Sequence, residues 1–219
     1  MATKKTKKAE TVTIAPLNLG SISIPIRGTA PYCQHAFSAK AMKMMLDNQM
    51  VSGAKSKKKK KPRNVEEDFN GAIHRSTEGW TGIPASSFRA AMISACRIAG
   101  FQMTKAKLSV FVKADGLDAD SGQPLVKLIA EEPEVSKMAV RLESGVASIA
   151  IRPLWREWGA VVRVTFDRDQ FGVNDVVNLA ERAGHQVGIG EGRPDSRKST
   201  GLGWGTFRVD TENLESLNA

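Results

Sequence analysis

The sequence is poor in cysteine and has neither a long apolar run nor an export signal. Its 219 residues include two cysteines, Cys33 and Cys96, which are too few for a disulfide framework. No apolar run approaches the roughly 18 residues that span a bilayer. The basic start, Met1–Lys8, is not followed by the apolar stretch of a secretory signal. We therefore expect a protein of the reducing cytoplasm that does not span a membrane.

Residues that ligate metals are also few and scattered. The histidines lie far apart in the sequence: His35, His74 and His185. Neither cysteine has another nearby, so no zinc spacing exists. A short acidic stretch lacks the spacing and the closing glutamate of a calcium loop and is expected to be a solvated hairpin tip: Asp115, Asp118 and Asp120. The sequence therefore predicts no metal and no other cofactor.

The signatures of common enzymes are missing as well. No Gly-x-Ser-x-Gly elbow is present, which favours Ser86 and Ser87 as helix-capping residues rather than nucleophiles. A nucleotide-binding P-loop needs glycine directly before Lys-Ser, and Arg197 occupies that place before Lys198. A nucleophilic hydrolase and a P-loop nucleotidase are therefore not expected.

Positive charge is concentrated in two short segments. The chain has 32 lysines and arginines against 23 acidic residues, a net charge of +9. Four of the positive charges lie near the start: Lys4, Lys5, Lys7 and Lys8. Seven more lie in a second segment: Lys55, Lys57, Lys58, Lys59, Lys60, Lys61 and Arg63. The other 21 basic and 23 acidic residues leave a nearly neutral body of charge −2. Such segments attract polyanions by releasing counterions, or they serve solubility alone.

Apolar periodicity predicts a strand and then a helix in the first part of the chain. Residues 11–27 alternate as a strand does, and Pro16 and Gly20 mark a phase change or a bulge. Residues 36–50 suit a helix whose apolar side is expected to pack in the core: Phe37, Ala41, Met44 and Met45. Residues 51–72 show little periodicity and predict a long mobile loop.

Two further helices and several strands are expected downstream. Residues 82–100 form the clearest helical pattern, which begins near Pro84 and Ser86 and ends at Gly100. Its small apolar face is expected to lie against a sheet: Ala91, Ala95 and Ile98. The last helix is predicted between Asn174 as its cap and Gly184 as its stop, with an apolar face of Val176, Val177, Leu179 and Ala180. Strands are expected at residues 108–113, 125–129, 146–152, 160–167 and 206–210.

This order of elements predicts an α+β fold with helices on one face of the sheet. The split β-α-β-β-α-β arrangement, carrying loop insertions, is the simplest such fold. We expect one domain over residues 11–210, between a basic disordered tail at 1–10 and a tail at 211–219. Residues 103–145 would supply any thumb-like insertion.

Residues 188–205, which we call the glycine loop, carry the strongest functional signal. Six glycines permit positive φ angles and a close approach of the backbone to another chain: Gly188, Gly190, Gly192, Gly201, Gly203 and Gly205. Among them, Arg193, Arg197 and Lys198 are expected to meet phosphates. Trp204 offers a surface for base stacking. A purely structural glycine-rich hairpin is the alternative.

Two motifs of the sequence together resemble a known family. One is Gly82-Ile-Pro-Ala-Ser-Ser-Phe-Arg-Ala-Ala-Met92, and the other is Gly188-Ile-Gly190 followed by Gly201-Leu-Gly203-Trp-Gly205-Thr-Phe207. They are similar to the serine-containing helix start and the glycine-rich loop of the RAMP superfamily, the RNA-binding proteins of CRISPR systems, and most similar to its seven-type Cas backbone subunits. Ala85 stands where the family has glycine, and the lysine-rich insertion is foreign to it. These departures leave open a stand-alone relative, for instance one encoded by a mobile element.

The resemblance implies a modified ferredoxin-like, RRM-related fold. It also implies a non-catalytic subunit of an antiviral ribonucleoprotein that binds single-stranded RNA and polymerises along it. Carried over by position, Ser86, Ser87 and Arg89 face phosphate at a helix N-terminus. Trp80, next to this motif, is expected either to stack on a base or to belong to the core. The implied partners are copies of the chain in a filament or ring and other effector-complex subunits.

Three alternatives stay open. The chain could be a single-stranded DNA-binding or annealing protein, or an assembly subunit that binds no nucleic acid. It could also be a metal-independent endoribonuclease of the same superfamily. In that case His74 or His35 would act as general base or acid on a 2′-hydroxyl, and Arg75 would stabilise the phosphate. The serine-containing helix start at Gly82–Met92, which we call the serine motif, favours the non-catalytic branch of the superfamily.

Overall fold

The computed structural model describes residues 14–37, 39–50, 64–141, 145–196 and 201–213. Over these ranges the chain is a mixed α/β structure with antiparallel sheets. Its elements follow in this order: β1 (Leu19–Gly28), β2 (Tyr32–Cys33), α1 (Ala39–Met50), α2 (Val65–Asn70), β3 (Gly82–Pro84), α3 (Ala85–Ala99), α4 (Met103–Ser109), β4 (Val110–Lys113), β5 (Gly116–Leu117), β6 (Pro124–Lys127), β7 (Glu134–Arg141), β8 (Ala147–Trp155), β9 (Gly159–Asp167), α5 (Val173–Arg182), the π-helical segment Ala183–Val187, and β10 (Phe207–Val209).

Four strands form the central sheet in the order β10–β1–β9–β4, each antiparallel to its neighbours. Strand β1 buries Ile22, Ile24 and Ile26, because alternate side chains of a strand point to the same face. Val162 and Val164 on β9 pair with two of these isoleucines and are buried on the same face. Apolar residues of α3 and α5 join them in one core.

Strand β1 is shorter and more regular than the sequence predicts. It begins at Leu19 rather than near residue 11, and residues 14–18 belong to no strand. Its pairing with β9 is continuous from Leu19 to Arg27, so the phase change or bulge expected at Gly20 is wrong. Glycine instead leaves room for the ring of Phe166, which would lie 2.7 Å from a Cβ at this position.

Helix α3 is confirmed, together with its C-terminal stop. Gly100 ends it in the left-handed conformation, with φ at 73°. Ala91 and Ala95 are buried as expected. Ile98 is exposed, so its assignment to the apolar face is wrong; it lies in the last turn, where Arg97 and Ala99 are exposed as well.

Helix α1 forms where expected, but its methionines do not join the core. Met44, Met45 and Met50 are between 49% and 82% exposed, and Phe37 just before the helix is exposed too. The prediction of core packing is wrong. Helical spacing places residues on one side of a helix, but the spacing does not provide a surface to cover them.

The predicted loop 51–72 contains helix α2. Asn64 caps this helix by accepting hydrogen bonds from the backbone N–H groups of Glu66 and Glu67, at 3.0 and 3.4 Å. The loop prediction is therefore wrong over residues 65–70. The lysine run lies in residues 51–63, outside the described ranges.

Residues 103–145 depart most from expectation. Residues 103–109 form α4, so the strand predicted from residue 108 begins at Val110. Leu108, expected in that strand, lies exposed on the helix. The segment expected to supply a thumb-like insertion provides β4 of the central sheet and β7 of a separate sheet, whose order is β2–β8–β7. A third small sheet has the order β3–β6–β5.

Helix α5 is confirmed, but both predicted ends are wrong. Its cap is Gly172 rather than Asn174, and Asp175 Oδ2 accepts a hydrogen bond from the Gly172 N–H at 2.9 Å. The helix does not stop at Gly184, because the chain continues as the π-helical segment until Gly188, whose φ is 70°. Gly184 is instead a point of close approach, where a Cβ would collide with the backbone of Phe207.

Candidate nucleic-acid interface

The glycine loop connects the π-helical segment to β10, one of the two edge strands of the central sheet. All six of its glycines have positive φ angles, between 65° and 80°. This conformation is open to glycine at little cost and strains other residues. The sequence-based expectation of positive φ is therefore confirmed at every glycine of the loop.

The beginning and the end of the loop pack tightly against the body. A Cβ at Gly190 would lie 2.5 Å from the carbonyl oxygen of Cys33, and one at Gly205 would collide with the backbone of Ile189. Backbone hydrogen bonds join Glu191 to Cys33 at 3.0 Å and Gly205 to Pro31 at 2.7 Å. These glycines are needed for packing.

Gly201 and Gly203 differ from the others. Their φ angles are 65° and 75°, yet no atom of the described chain lies within 4 Å of a Cβ built on either residue. At these two positions the described chain therefore leaves space beside the backbone of the loop. A polymer backbone could approach it closely. The intervening residues 197–200, which include Arg197 and Lys198, lie outside the described ranges.

Arg193 and Trp204 lie within the loop and are both half-buried. The Nη1 atom of Arg193 donates to the carbonyl oxygen of Gly190 at 3.0 Å. The Trp204 side chain lies 3.1 Å from the Cβ position of Gly192. Arg193 therefore braces the first arm of the loop and Trp204 joins the two arms, and their contact with nucleic acid stays a prediction.

A polar cluster that the sequence analysis missed fixes the loop to α3. Asp195 accepts hydrogen bonds from the Ser94 hydroxyl and from Nη2 of Arg97, the latter at 2.6 Å. These bonds, led by that of Ser94, lower the pKa of Asp195 despite partial burial. No motif in the sequence links position 94 to position 195, so this cluster had no local signal.

The serine motif lies at the start of the same helix. Pro84 precedes α3, and no side chain caps its first turn, so the capping role expected of Ser86 and Ser87 is wrong. Ser86 is exposed and Ser87 is half-buried. Ser87 and Ser94 are seven residues apart, which places them on one stripe of the helix about 10 Å apart. Ser87 of the motif and the anchor of the glycine loop therefore share one side of α3.

Arg89 lies on α3 but is engaged within the protein. Its Nε donates to the carbonyl oxygen of Val110 at 2.9 Å, and its Nη2 donates to that of Lys107. Its guanidinium also lies 5.5 Å from the ring centroid of Phe111. The residue ties α3 to the junction of α4 and β4, and its contact with phosphate stays a prediction.

Trp80 is a half-buried side chain on the small β3–β6–β5 sheet. Its ring would lie 2.9 Å from a Cβ at Gly82 and 2.7 Å from one at Gly116, so two glycines make room for it. Its Nε1 donates to Glu78 at 3.1 Å. Neighbouring Arg75 is exposed.

His74 is paired with a buried carboxylate. Its Nδ1 lies 2.9 Å from Oδ2 of Asp118, and the two side chains are 12% and 5% exposed. Burial raises the pKa of Asp118, but hydrogen bonds from the Ser121 N–H and hydroxyl and from His74 outweigh it, so the pKa lies below its ordinary value. Asp118 is therefore not part of a solvated tip, and that prediction is wrong for this residue.

A third cluster joins the glycine loop to β8. Nε of Arg152 donates to Glu191 at 2.7 Å, and Nδ1 of His35 lies 3.4 Å from the same carboxylate. Burial and the nearby Arg152 guanidinium lower the pKa of His35, although Glu191 acts in the opposite direction. His35 and His74 therefore belong to separate clusters, each with its own acidic partner.

Comparisons with known proteins give no family for this chain. It matches no protein-family model, and no curated protein is significantly similar to it. Among the described helices, none has the length and apolar character needed to cross a membrane.

Proposed function

We propose that this chain is a non-catalytic, single-stranded RNA-binding subunit that assembles with copies of itself along the RNA. The space that the described chain leaves beside Gly203 of the glycine loop, whose Asp195 is bonded to the same helix as the serine motif, is the observation that carries the proposal. Cations of this loop and of the lysine run would neutralise phosphates, and Trp80 and Trp204 would offer surfaces for bases. Sequence-tolerant binding follows, because these contacts involve phosphates and ring faces rather than base edges.

The strand order supports the ferredoxin-like, RAMP-related part of this proposal. The central sheet contains four strands, which follow one another along the chain as β1, β4, β9 and β10. Across the sheet, the last of these lies beside the first, the first beside the third, and the third beside the second. Helix α3 lies between the first and second strands, and α5 lies between the third and the last. The split β-α-β-β-α-β arrangement combines the same order of elements with two crossing helices. The resemblance places its glycine-rich loop after the second helix, as here.

Mobility-shift titrations over a range of salt test the proposal. We expect tightest binding to single-stranded RNA, weaker binding to single-stranded DNA and weakest binding to duplex, each weakening as salt rises. Tightest binding to single-stranded DNA would instead support an annealing protein. Equal weak binding to all three without salt dependence would contradict nucleic-acid binding as the function.

The pairing of His74 with Asp118 favours a second candidate, the metal-independent endoribonuclease. A carboxylate on Nδ1 holds an imidazole in one orientation and leaves Nε2 for proton transfer. Labelled RNA incubated with a chelator separates the two functions, with His185→Ala as the control for losing a histidine. Discrete products that disappear in His74→Ala alone would overturn the non-catalytic proposal, whereas intact RNA supports it.

A further inference from the structure

Strand β7 is a long edge strand with one unpaired side. It lies at the end of the β2–β8–β7 sheet and pairs only with β8, from Glu134 opposite Leu154 to Arg141 opposite Ala147. Within the described ranges, no residue forms a hydrogen bond with the outer edge of β7. An edge of this kind presents a row of free N–H and C=O groups to which another strand can bind.

The usual protection of an edge strand is largely missing here. The register with β8 is continuous over eight residue pairs, so no bulge bends the strand, and it contains no proline. Lys137 is the one charged residue between its first and last positions. Val135 and Ile149 lie on the same face of the hairpin and are 48% and 56% exposed. The edge therefore combines free backbone groups with apolar side chains.

We propose that a second copy of this chain docks here, with β7 pairing antiparallel to β7 of its partner across a twofold axis. A twofold contact brings the same strand from both copies together. In an antiparallel pair, two opposite residues either both direct their backbone N–H and C=O groups towards the partner strand or both direct them away from it. The two kinds of residue alternate along each strand. The axis must therefore pass beside a residue rather than between two residues.

An axis beside Lys137 or beside Met138 pairs the longest part of β7, and charge selects between these two. An axis at Lys137 would place two lysines directly opposite each other, which is unfavourable. An axis at Met138 instead pairs Met138 with itself, Lys137 with Ala139 and Val135 with Arg141. This register leaves no like charges opposite and joins the two three-stranded sheets into one sheet of six strands. A twofold contact closes on two copies and does not repeat along a strand of RNA. It therefore goes beyond the proposed function as a separate contact, and its geometry is independent of RNA.

Disulfide crosslinking in nuclease-treated, nucleic-acid-free protein tests this register. In Met138→Cys the two new thiols lie directly opposite, at the Cβ spacing of about 5 Å found across strands. In Val135→Cys the two thiols are offset by six residues along the paired strands, a distance of about 20 Å. We expect a covalent dimer on oxidation of Met138→Cys and none from Val135→Cys or the unaltered chain, whose own cysteines are buried. A dimer from Val135→Cys and none from Met138→Cys would overturn the proposal.

Sedimentation provides an independent test. We expect the nuclease-treated chain to be a concentration-dependent dimer, and Met138→Lys to weaken its association about tenfold or more, because like charges then face each other. Leu108→Lys adds the same charge at an exposed apolar residue outside the hairpin and should leave the dimer intact. A monomer at all concentrations would overturn the interface. Because no RNA is present, that outcome is distinct from a failure of RNA binding.

Discussion

The carboxylate of Asp195 lies 2.6 Å from Nη2 of Arg97 and also accepts a hydrogen bond from the hydroxyl of Ser94. A residue of the glycine loop is thereby fixed to the C-terminal half of α3, although 98 residues separate Asp195 from Arg97 in the chain. Asp195 and its neighbour Arg193 are held on a folded scaffold, so we expect Arg193 to lose little entropy if the loop binds RNA as proposed.

Removing this anchor should weaken RNA binding more than it weakens the fold. We expect Asp195→Ala to reduce affinity for single-stranded RNA severalfold. Its free energy of unfolding should fall by at most about 1 kcal/mol, since the paired side chains are partly solvated. Binding titrations and urea unfolding give the two values. The control is Asp120→Ala, at an exposed acidic residue. A variant that binds RNA as tightly as the unaltered chain would show that the anchor has no part in the site.

The Asp118 carboxylate should make stability depend on pH in the acid range. Its pKa is lowered in the folded chain, so it stabilises the fold above its unfolded pKa of about 3.9. That contribution is lost as the pH falls through the lower folded pKa. We expect Asp118→Asn to lower the free energy of unfolding by about 1–3 kcal/mol at neutral pH, and this difference to shrink below about pH 4. Urea titrations at several pH values measure it. A difference that is constant down to pH 3 would contradict the assignment.

The glycines of the loop should separate into two classes. In Gly205→Ala the new Cβ meets the backbone of Ile189 and φ is positive, so we expect a loss of stability well above 1 kcal/mol. In Gly203→Ala φ is also positive but no described atom lies near the Cβ, so the expected loss is about 1 kcal/mol. Thermal and urea unfolding of the two variants compare them directly. Equal losses would show that the packing of the loop is not as described.

The loop arginines and the lysine run should contribute differently to binding. We expect Arg193→Ala combined with Arg197→Ala to weaken RNA binding by about 1–3 kcal/mol, the scale of charged hydrogen bonds. Deletion of residues 55–61 should mainly slow association and flatten the salt dependence. Titrations at two salt concentrations distinguish them. Arg193→Ala alone controls for the bond to Gly190. If the deletion abolishes binding while the double variant binds normally, the glycine loop is structural.

Local patterns in the sequence predict much of the fold. The alternation of Ile22, Ile24 and Ile26 identifies β1, and Gly100 identifies the end of α3, because both features depend on neighbouring residues alone. The methionines of α1 show where this reasoning stops: the spacing is correct, but whether a surface covers them is decided by distant parts of the chain.

The candidate site shows the same limit, because its local features are predictable from the sequence and its contacts between distant residues are not. Positive φ at the glycines is a local property, and the sequence predicts it. The partners of Asp195, Asp118 and Glu191 come from other elements, and nothing near each residue in the sequence indicates them. For the same reason, Arg89 is recognisable as a cation of the serine motif while its bonds to the end of α4 are not.

Affinity for single-stranded RNA, compared between Gly203→Val and Gly122→Val, tests the central claim most directly. Both glycines have positive φ, 75° and 69°, and neither has a described atom near its Cβ position, so the two substitutions impose similar local strain. Gly203 lies on the open part of the glycine loop, and Gly122 lies in the turn before β6. We predict that Gly203→Val binds RNA about tenfold more weakly or worse, and that Gly122→Val binds as the unaltered chain does. Equal affinities for the two variants would contradict the proposal that RNA binds along the glycine loop.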